Sequence, residues 1–338
     1  MYIEKKNSTK YISFWLALMT WIVSIMIIVG GLTRLTDSGL SITEWELFSG
    51  FLPPLNETQW NIYFNLYKKI PEYKLQNYLM SLDEFKVIFW WEFIHRFLGR
   101  LIGLGFIIPL IYFSFKHGFN KTKNLYLIFI LICLQGFIGW YMVSSGLVDR
   151  VDVSHYRLAM HLVLAFIILS LIFWNYLNYK KVNYSKNKIN LILPIIFLLL
   201  VFLQITIGAF VSGMDAGKIY NTWPLMGSGF FPDDNTIQNL FYLSAFNDPS
   251  LIQFMHRNLA YFIFLFYLFI FINIYKNNLL GLFSAIKIVG VLLIFQIFLG
   301  ILTLLLGAQI IISSMHQISS IFLVISCIYF LYLNNNSN

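Results

Sequence analysis

Four histidines carry most of the chemistry available to this sequence. His95, His161, His256 and His316 each stand near the start of an apolar run. An ionisable group inside such a run is costly enough to have a partner or a function. Neutral imidazole is a metal ligand. Two imidazoles on helices that face each other across a bundle core are what a bis-His haem needs, one above and one below the iron. The plainer alternative is four unrelated hydrogen bonds to neighbouring helices. A closed zinc site wants four ligands, and the runs offer only Cys133 and Cys327, too few to complete two of them. A di-iron carboxylate centre needs Glu-x-x-His from two helices, and Glu92–His95 is the one example. Elimination favours haem. His117 falls in an inner Lys-bearing loop and His155 in an outer one, and both are expected to be solvated.

The surroundings of these histidines differ between the two halves of the chain. The first half reads Glu92-Phe93-Ile94-His95-Arg96 and the second Gln253-Phe254-Met255-His256-Arg257. Residues i and i+3 share a helix face, so Glu92 is expected at the same haem edge that His95 ligates. Gln253 is nearly isosteric but cannot exchange a proton. Chemistry is therefore expected in the first half and electron transfer in the second. The alternative for Glu92 is an interfacial carboxylate paired with Arg96 or Arg100. Arg96 and Arg257 could meet haem propionates, or anchor the outer interface by snorkelling.

The elements that must position these residues are membrane helices. Of the 338 residues, 59% are hydrophobic and only 11% charged, too few charges to coat a water-facing surface. Apolar runs of about 20 residues cross the hydrocarbon as helices. Eight are present, roughly 12–32, 93–114, 125–145, 158–178, 190–211, 256–275, 286–307 and 315–333. The expected fold is an all-α integral membrane protein. Cys133 and Cys327 both lie inside such runs, which excludes a disulfide framework.

The chain is also doubled. Gly30 to Gly39, followed by Trp45, matches Gly208 to Gly217, followed by Trp223, at an offset of 178. Phe93-Ile94-His95-Arg96 matches Phe254-Met255-His256-Arg257, and Gln135 and Gly139 match Gln296 and Gly300, both at 161. Four helices per repeat give two pseudo-symmetric four-helix bundles inserted the same way up. We place them at 1–185, with a long outer loop over 33–92, and at 186–338. The outer loop could be a surface helix or a plain ordered loop.

Charge sets the orientation. With a cytoplasmic N-terminus, the inner segments hold Lys5, Lys6, Lys10, Lys116, Lys121, Lys123, Lys180, Lys181, Lys186, Lys188, Lys276 and Lys287, against Glu4 as their only acid. This is the positive-inside bias. The net charge of +8 thus reflects topology and anionic lipid, with no nucleic-acid partner expected. No transit peptide is visible, which favours a bacterial inner membrane with both termini cytoplasmic.

Taken together, Gly30 to Leu40, Glu92 to Arg96, His161, Gly208 to Gly217, Asn221 to Met226, Phe254 to Arg257 and His316 make the sequence resemble the haem A synthase family over essentially its whole length. The resemblance implies oxidation of a haem O methyl group through an alcohol to the formyl group of haem A, for cytochrome c oxidase. It implies that His95 and His161 bracket the substrate haem, that His256 and His316 bracket a resident haem b, and that Glu92 is catalytic. Candidate partners are haem O synthase, cytochrome c oxidase assembly factors and an unidentified electron partner. Some members carry a Cys pair in outer loops; this chain resembles the cysteine-free type of α-proteobacteria and mitochondria. The rivals are a quinol-linked dihaem b-type electron carrier and a transporter built from parallel repeats.

Overall fold

The computed structural model describes residues 2–45 and 50–335. Residues 46–49 of the first outer segment, and the side chains of Lys5 and Lys6, lie outside that description. The described chain is all-helical, with no named strand: α1 (Tyr2–Leu35), α2 (Glu57–Tyr67), α3 (Pro71–Leu75), α4 (Leu82–His117), α5 (Phe119–Asp149), α6 (His155–Lys180), α7 (Ile192–Gly213), α8 (Pro249–Lys276), α9 (Leu280–Leu305) and α10 (Ile310–Asn334), with three short 3₁₀ turns before α8. Eight of these helices are long and apolar enough to cross a membrane. The protein is a multi-pass membrane protein.

Two compact units divide the chain. One is Trp21–Ala165; the other runs from Phe166 onward and includes the first part of α1, up to Thr20. Within the second unit α7 packs on α8, α9 on α10 and α10 on α7. Within the first, α4 packs on α5.

Several helices extend past the apolar runs that announce them. The second run begins at residue 93 by hydropathy, yet α4 begins at Leu82. A capping box starts it: Glu84 N–H donates to Ser81 Oγ, while the Glu84 carboxylate accepts from Ser81 N–H at 2.8 Å. Phe85, Phe89 and Phe93 then recur every fourth residue, so they line one face, and all three are buried. The first outer segment covers that face. Its helix α2, capped by Asn56, sets Trp60 4.9 Å from Phe89 and Phe64 5.0 Å from Phe85, centroid to centroid. Of the two readings left open for 33–92, its middle is thus helical and is packed on α4.

The repeat is visible in the backbone. Asp37 and Asp215, equivalent at the offset of 178, both adopt left-handed φ, 49° and 51°. Each follows the end of a helix, where such a residue lets the chain turn away. Cys133 and Cys327 are free thiols on α5 and α10. One expectation fails: His155 is not solvated. It opens α6 and is 8% exposed, its ring 4.1 Å from that of Tyr156. It lies on the first turn of α6 rather than in a loop, and packing there replaces the expected solvent.

Candidate functional site: two facing imidazole pairs

In each half the two intramembrane histidines face each other. The ring centres of His95, on α4, and His161, on α6, are 6.3 Å apart with an interplanar angle of 61°. Those of His256, on α8, and His316, on α10, are 6.5 Å apart at 76°. Taking zinc–imidazole bonds as a guide, about 2.0–2.1 Å to the nitrogen and roughly 1 Å more to the ring centre, two imidazoles on opposite sides of one ion have centres about 6 Å apart. Both pairs meet that spacing. Among the described residues no group of three or more His, Cys, Asp or Glu could hold a metal ion. A pair of opposed imidazoles with no third protein ligand fits a haem iron, whose other ligands come from the porphyrin.

The helix opposite each histidine presents a glycine to its ring. A Cβ added at Gly30 would lie 2.8 Å from His95 Cε1, and one at Gly139, Gly208 or Gly300 would lie 3.0 Å from Cε1 of His161, His256 or His316. So α1 seats the α4 histidine, α5 the α6, α7 the α8, and α9 the α10. A glutamine accompanies three of these seats. Gln135 Nε2 donates to the His161 carbonyl and Gln204 Nε2 to the His256 carbonyl, both at 3.0 Å. Gln296 Nε2 lies 3.4 Å from His316 Nε2.

Glu92 is 2% exposed, and both its oxygens are engaged. Oε1 accepts from Arg96 Nε at 3.0 Å and Nη2 at 2.6 Å, while Oε2 accepts from Ser41 Oγ and Ile42 N–H, each at 2.7 Å. The pairing with Arg96 expected as the alternative for Glu92 is present in this geometry. A carboxylate has about four lone-pair sites, and four donors occupy them. Gln253, its counterpart, instead donates from Nε2 to the Tyr220 carbonyl at 3.0 Å.

Neither Arg96 nor Arg257 points its guanidinium at open space; each clamps the outer segment after the preceding repeat helix. Arg96 Nη2 donates to the Ile42 carbonyl at 2.7 Å and Nη1 to that of Glu44 at 2.9 Å. Arg257 Nη2 and Nη1 donate to the carbonyls of Tyr220 and Thr222, both at 2.9 Å. Residues 42 and 44 match 220 and 222 at the offset of 178, so the repeat includes the segment that each arginine holds. Trp45 lies under the Arg96 guanidinium, 5.3 Å from ring centre to Cζ. Single residues do not announce these clamps; the matched Trp45 and Trp223 are the signal the sequence carries for them.

A second buried acid lies outside the spans. Glu72 on α3 is 3% exposed; its Oε1 accepts from Tyr67 Oη at 3.2 Å, and Asn77 Nδ2 donates to that hydroxyl at 2.8 Å. Burial, with Glu92, Asp152 and Asp37 adding negative charge, pushes its carboxyl up to about 8. Nothing in its spacing marks it as buried.

Fold and site together define a multi-pass helical membrane protein with a bis-imidazole pair in each half. A family model described as cytochrome oxidase assembly protein matches residues 13–328. The protein named "Heme A synthase" from Pelagibacter ubique is 51% identical over 340 residues, covering all of both chains. Those of the same name from Rickettsia bellii and Rickettsia prowazekii are each 43% identical, over 98% and 96% of this chain and 100% and 98% of their own. The chain belongs to the haem A synthase family. A dihaem electron carrier finds no support among these relatives.

Proposed function

We propose that this chain makes haem A from haem O, an oxidoreductase reaction that takes one methyl carbon through an alcohol to a formyl group. The observation that carries this reading is a single asymmetry between matched imidazole pairs. A buried carboxylate, Glu92, lies one turn before His95, where the second half has an amide, Gln253. His95 and His161 would hold the substrate, and His256 and His316 a resident haem b. Bound there, haem b supplies one-electron transfer.

The protein's own residues then have distinct tasks. Each seat glycine lets an imidazole approach the opposite helix. Arg96 and Arg257 hold the outer segments that wall the two sites, and the Arg257 Nε–H, which has no partner among the described residues, is the group free for a propionate. Glu92 supplies negative charge in a water-poor site, which stabilises positive charge developing at the methyl carbon. It takes up a proton only by giving up one of its four donors, and Ser41 Oγ, a rotatable hydroxyl, is the one most easily displaced.

The functional division follows the repeat, with substrate in 1–185 and resident cofactor in 186–338. The Lys-rich segments support cytoplasmic termini, in keeping with a bacterial inner membrane. The electron partner and any contact with haem O synthase or cytochrome c oxidase assembly factors belong to the same reading.

The test is an absorption spectrum of the purified full chain followed by pigment extraction. Haem O, haem A or the alcohol intermediate beside b haem is the expected result. Recovery of b haem alone would overturn the synthase reading.

A further inference from the structure

Three of the four histidines face a helix carrying the same pair of residues: a glutamine and, one turn later, the seat glycine. The pairs are Gln135 with Gly139, Gln204 with Gly208 and Gln296 with Gly300. Gln204 Nε2 bonds the His256 carbonyl at 3.0 Å and lies 3.3 Å from that ring's Nε2. At His316 the glutamine side chain reaches only the ring, with Gln296 Nε2 3.4 Å from His316 Nε2, while the backbone carbonyl of Gln296 lies 3.1 Å from His316 Nδ1 and Ser319 Oγ donates to Gln296 Oε1. In the first half, Gln135 ties the His161 carbonyl to α5.

His95 is the exception. The residue one turn before Gly30, equivalent to Gln204 at the offset of 178, is Met26. A Cβ on Gly99, one turn beyond His95, would lie 3.5 Å from the Met26 Cε methyl. A thioether has no N–H to donate, and its three rotatable bonds let it repack when neighbours move. The amide hydrogen bonds that Gln135 and Gln204 make to the histidine carbonyls opposite are ones Met26 cannot make, and its methyl instead lies against Gly99.

This difference matters because the two sites face opposite demands. A resident cofactor has to stay, whereas a substrate porphyrin has to enter and a product of the same size has to leave in each cycle. Leaving requires one imidazole to move off the iron, and a hydrogen bond pinning that histidine to the opposite helix resists the movement.

We propose that Met26, standing where the other three sites have glutamine, makes His95 the exchangeable imidazole of the first half, the one that releases porphyrin, while Gln204, bonded to the His256 carbonyl, retains it in the second. The proposal rests on the reading of both pairs as haem ligands. An ordinary hydrogen bond is worth about fivefold in an equilibrium constant, and that sets the size of effect.

Reciprocal exchange tests it. The purified full-length chain is mixed with excess apomyoglobin, and transfer of each pigment is followed optically and by chromatography. Met26→Gln is expected to slow the loss of haem O and haem A about fivefold and leave loss of b haem unchanged. Gln204→Met is expected to hasten loss of b haem by a similar factor and leave the other pigments unchanged. Unchanged transfer rates in variants that keep their helical circular dichroism would overturn the proposal. Should Met26→Gln fail to fold, Gln204→Met and Gln204→Leu decide alone: b haem lost at the parental rate from both refutes it. A parental chain without any pigment would instead refute the haem reading beneath it, a result distinct from unchanged rates.

Discussion

Glu92 and Gln253 show what one atom changes. Gln253 donates to the carbonyl of Tyr220, which also accepts from Arg257; Glu92 accepts from Arg96, Ser41 and Ile42. An amide at 92 can adopt the second half's arrangement by donating to the Ile42 carbonyl, so Glu92→Gln should fold and keep its pigment. Without the carboxylate charge, conversion to haem A should fall by about a hundredfold or more, or stop at the alcohol. Pigment analysis of the variant checks this, and a normal haem A yield would remove Glu92 from the mechanism. Glu72 offers a pH readout. Its folded-state value, about 8, lies above the ordinary carboxylate value of 4.5, so the folded chain binds the extra proton. Stability therefore falls as pH rises between those values. Glu72→Gln, neutral throughout, should flatten that decline and raise stability above pH 8 by about 1–3 kcal/mol. Thermal melts in detergent across pH measure it; parallel pH curves for parent and variant would count against it.

At the scale of the helices, the four seat glycines explain why the repeat is spelled as it is. Gly30 and Gly208, like Gly139 and Gly300, are matched because each meets an imidazole on the neighbouring helix. Any side chain there drives the ring away. Gly208→Ala should alter the low-spin spectrum of the haem b proposed there and cost about 1–3 kcal/mol through overpacking, whereas Gly136→Ala, where a Cβ meets nothing within 4 Å, should leave the spectrum alone. Electron paramagnetic resonance of the two variants is the comparison, and identical signals would deny the seats their role. These glycines were legible in the sequence as repeated positions, but their partners were not, because periodicity says nothing about which helix lies opposite. The apolar run falls short of the start of α4 for a related reason. Hydropathy registers charge, so Asp83, Glu84 and Lys86 hid the buried Phe85 and Phe89, whereas the fold disposes of those charges by capping and a 2.8 Å Lys86–Asp83 pair at the surface.

For the molecule as a whole, the sequence by itself determined the eight membrane helices, the doubling and the four histidines. Each of these is local or periodic: a run of apolar residues must leave water, and a repeated motif must fold alike twice. The tertiary structure decided which groups those residues meet. Only packing could show that Arg96 and Arg257 grip outer-segment carbonyls, that His155 and Glu72 are buried, and that Glu92 has all its acceptor sites filled. Such pairings join residues as far apart as Ser41 and Glu92. Their partners are chosen by how helices pack and by the need to satisfy buried polar groups, neither of which is written in the order of residues along the chain.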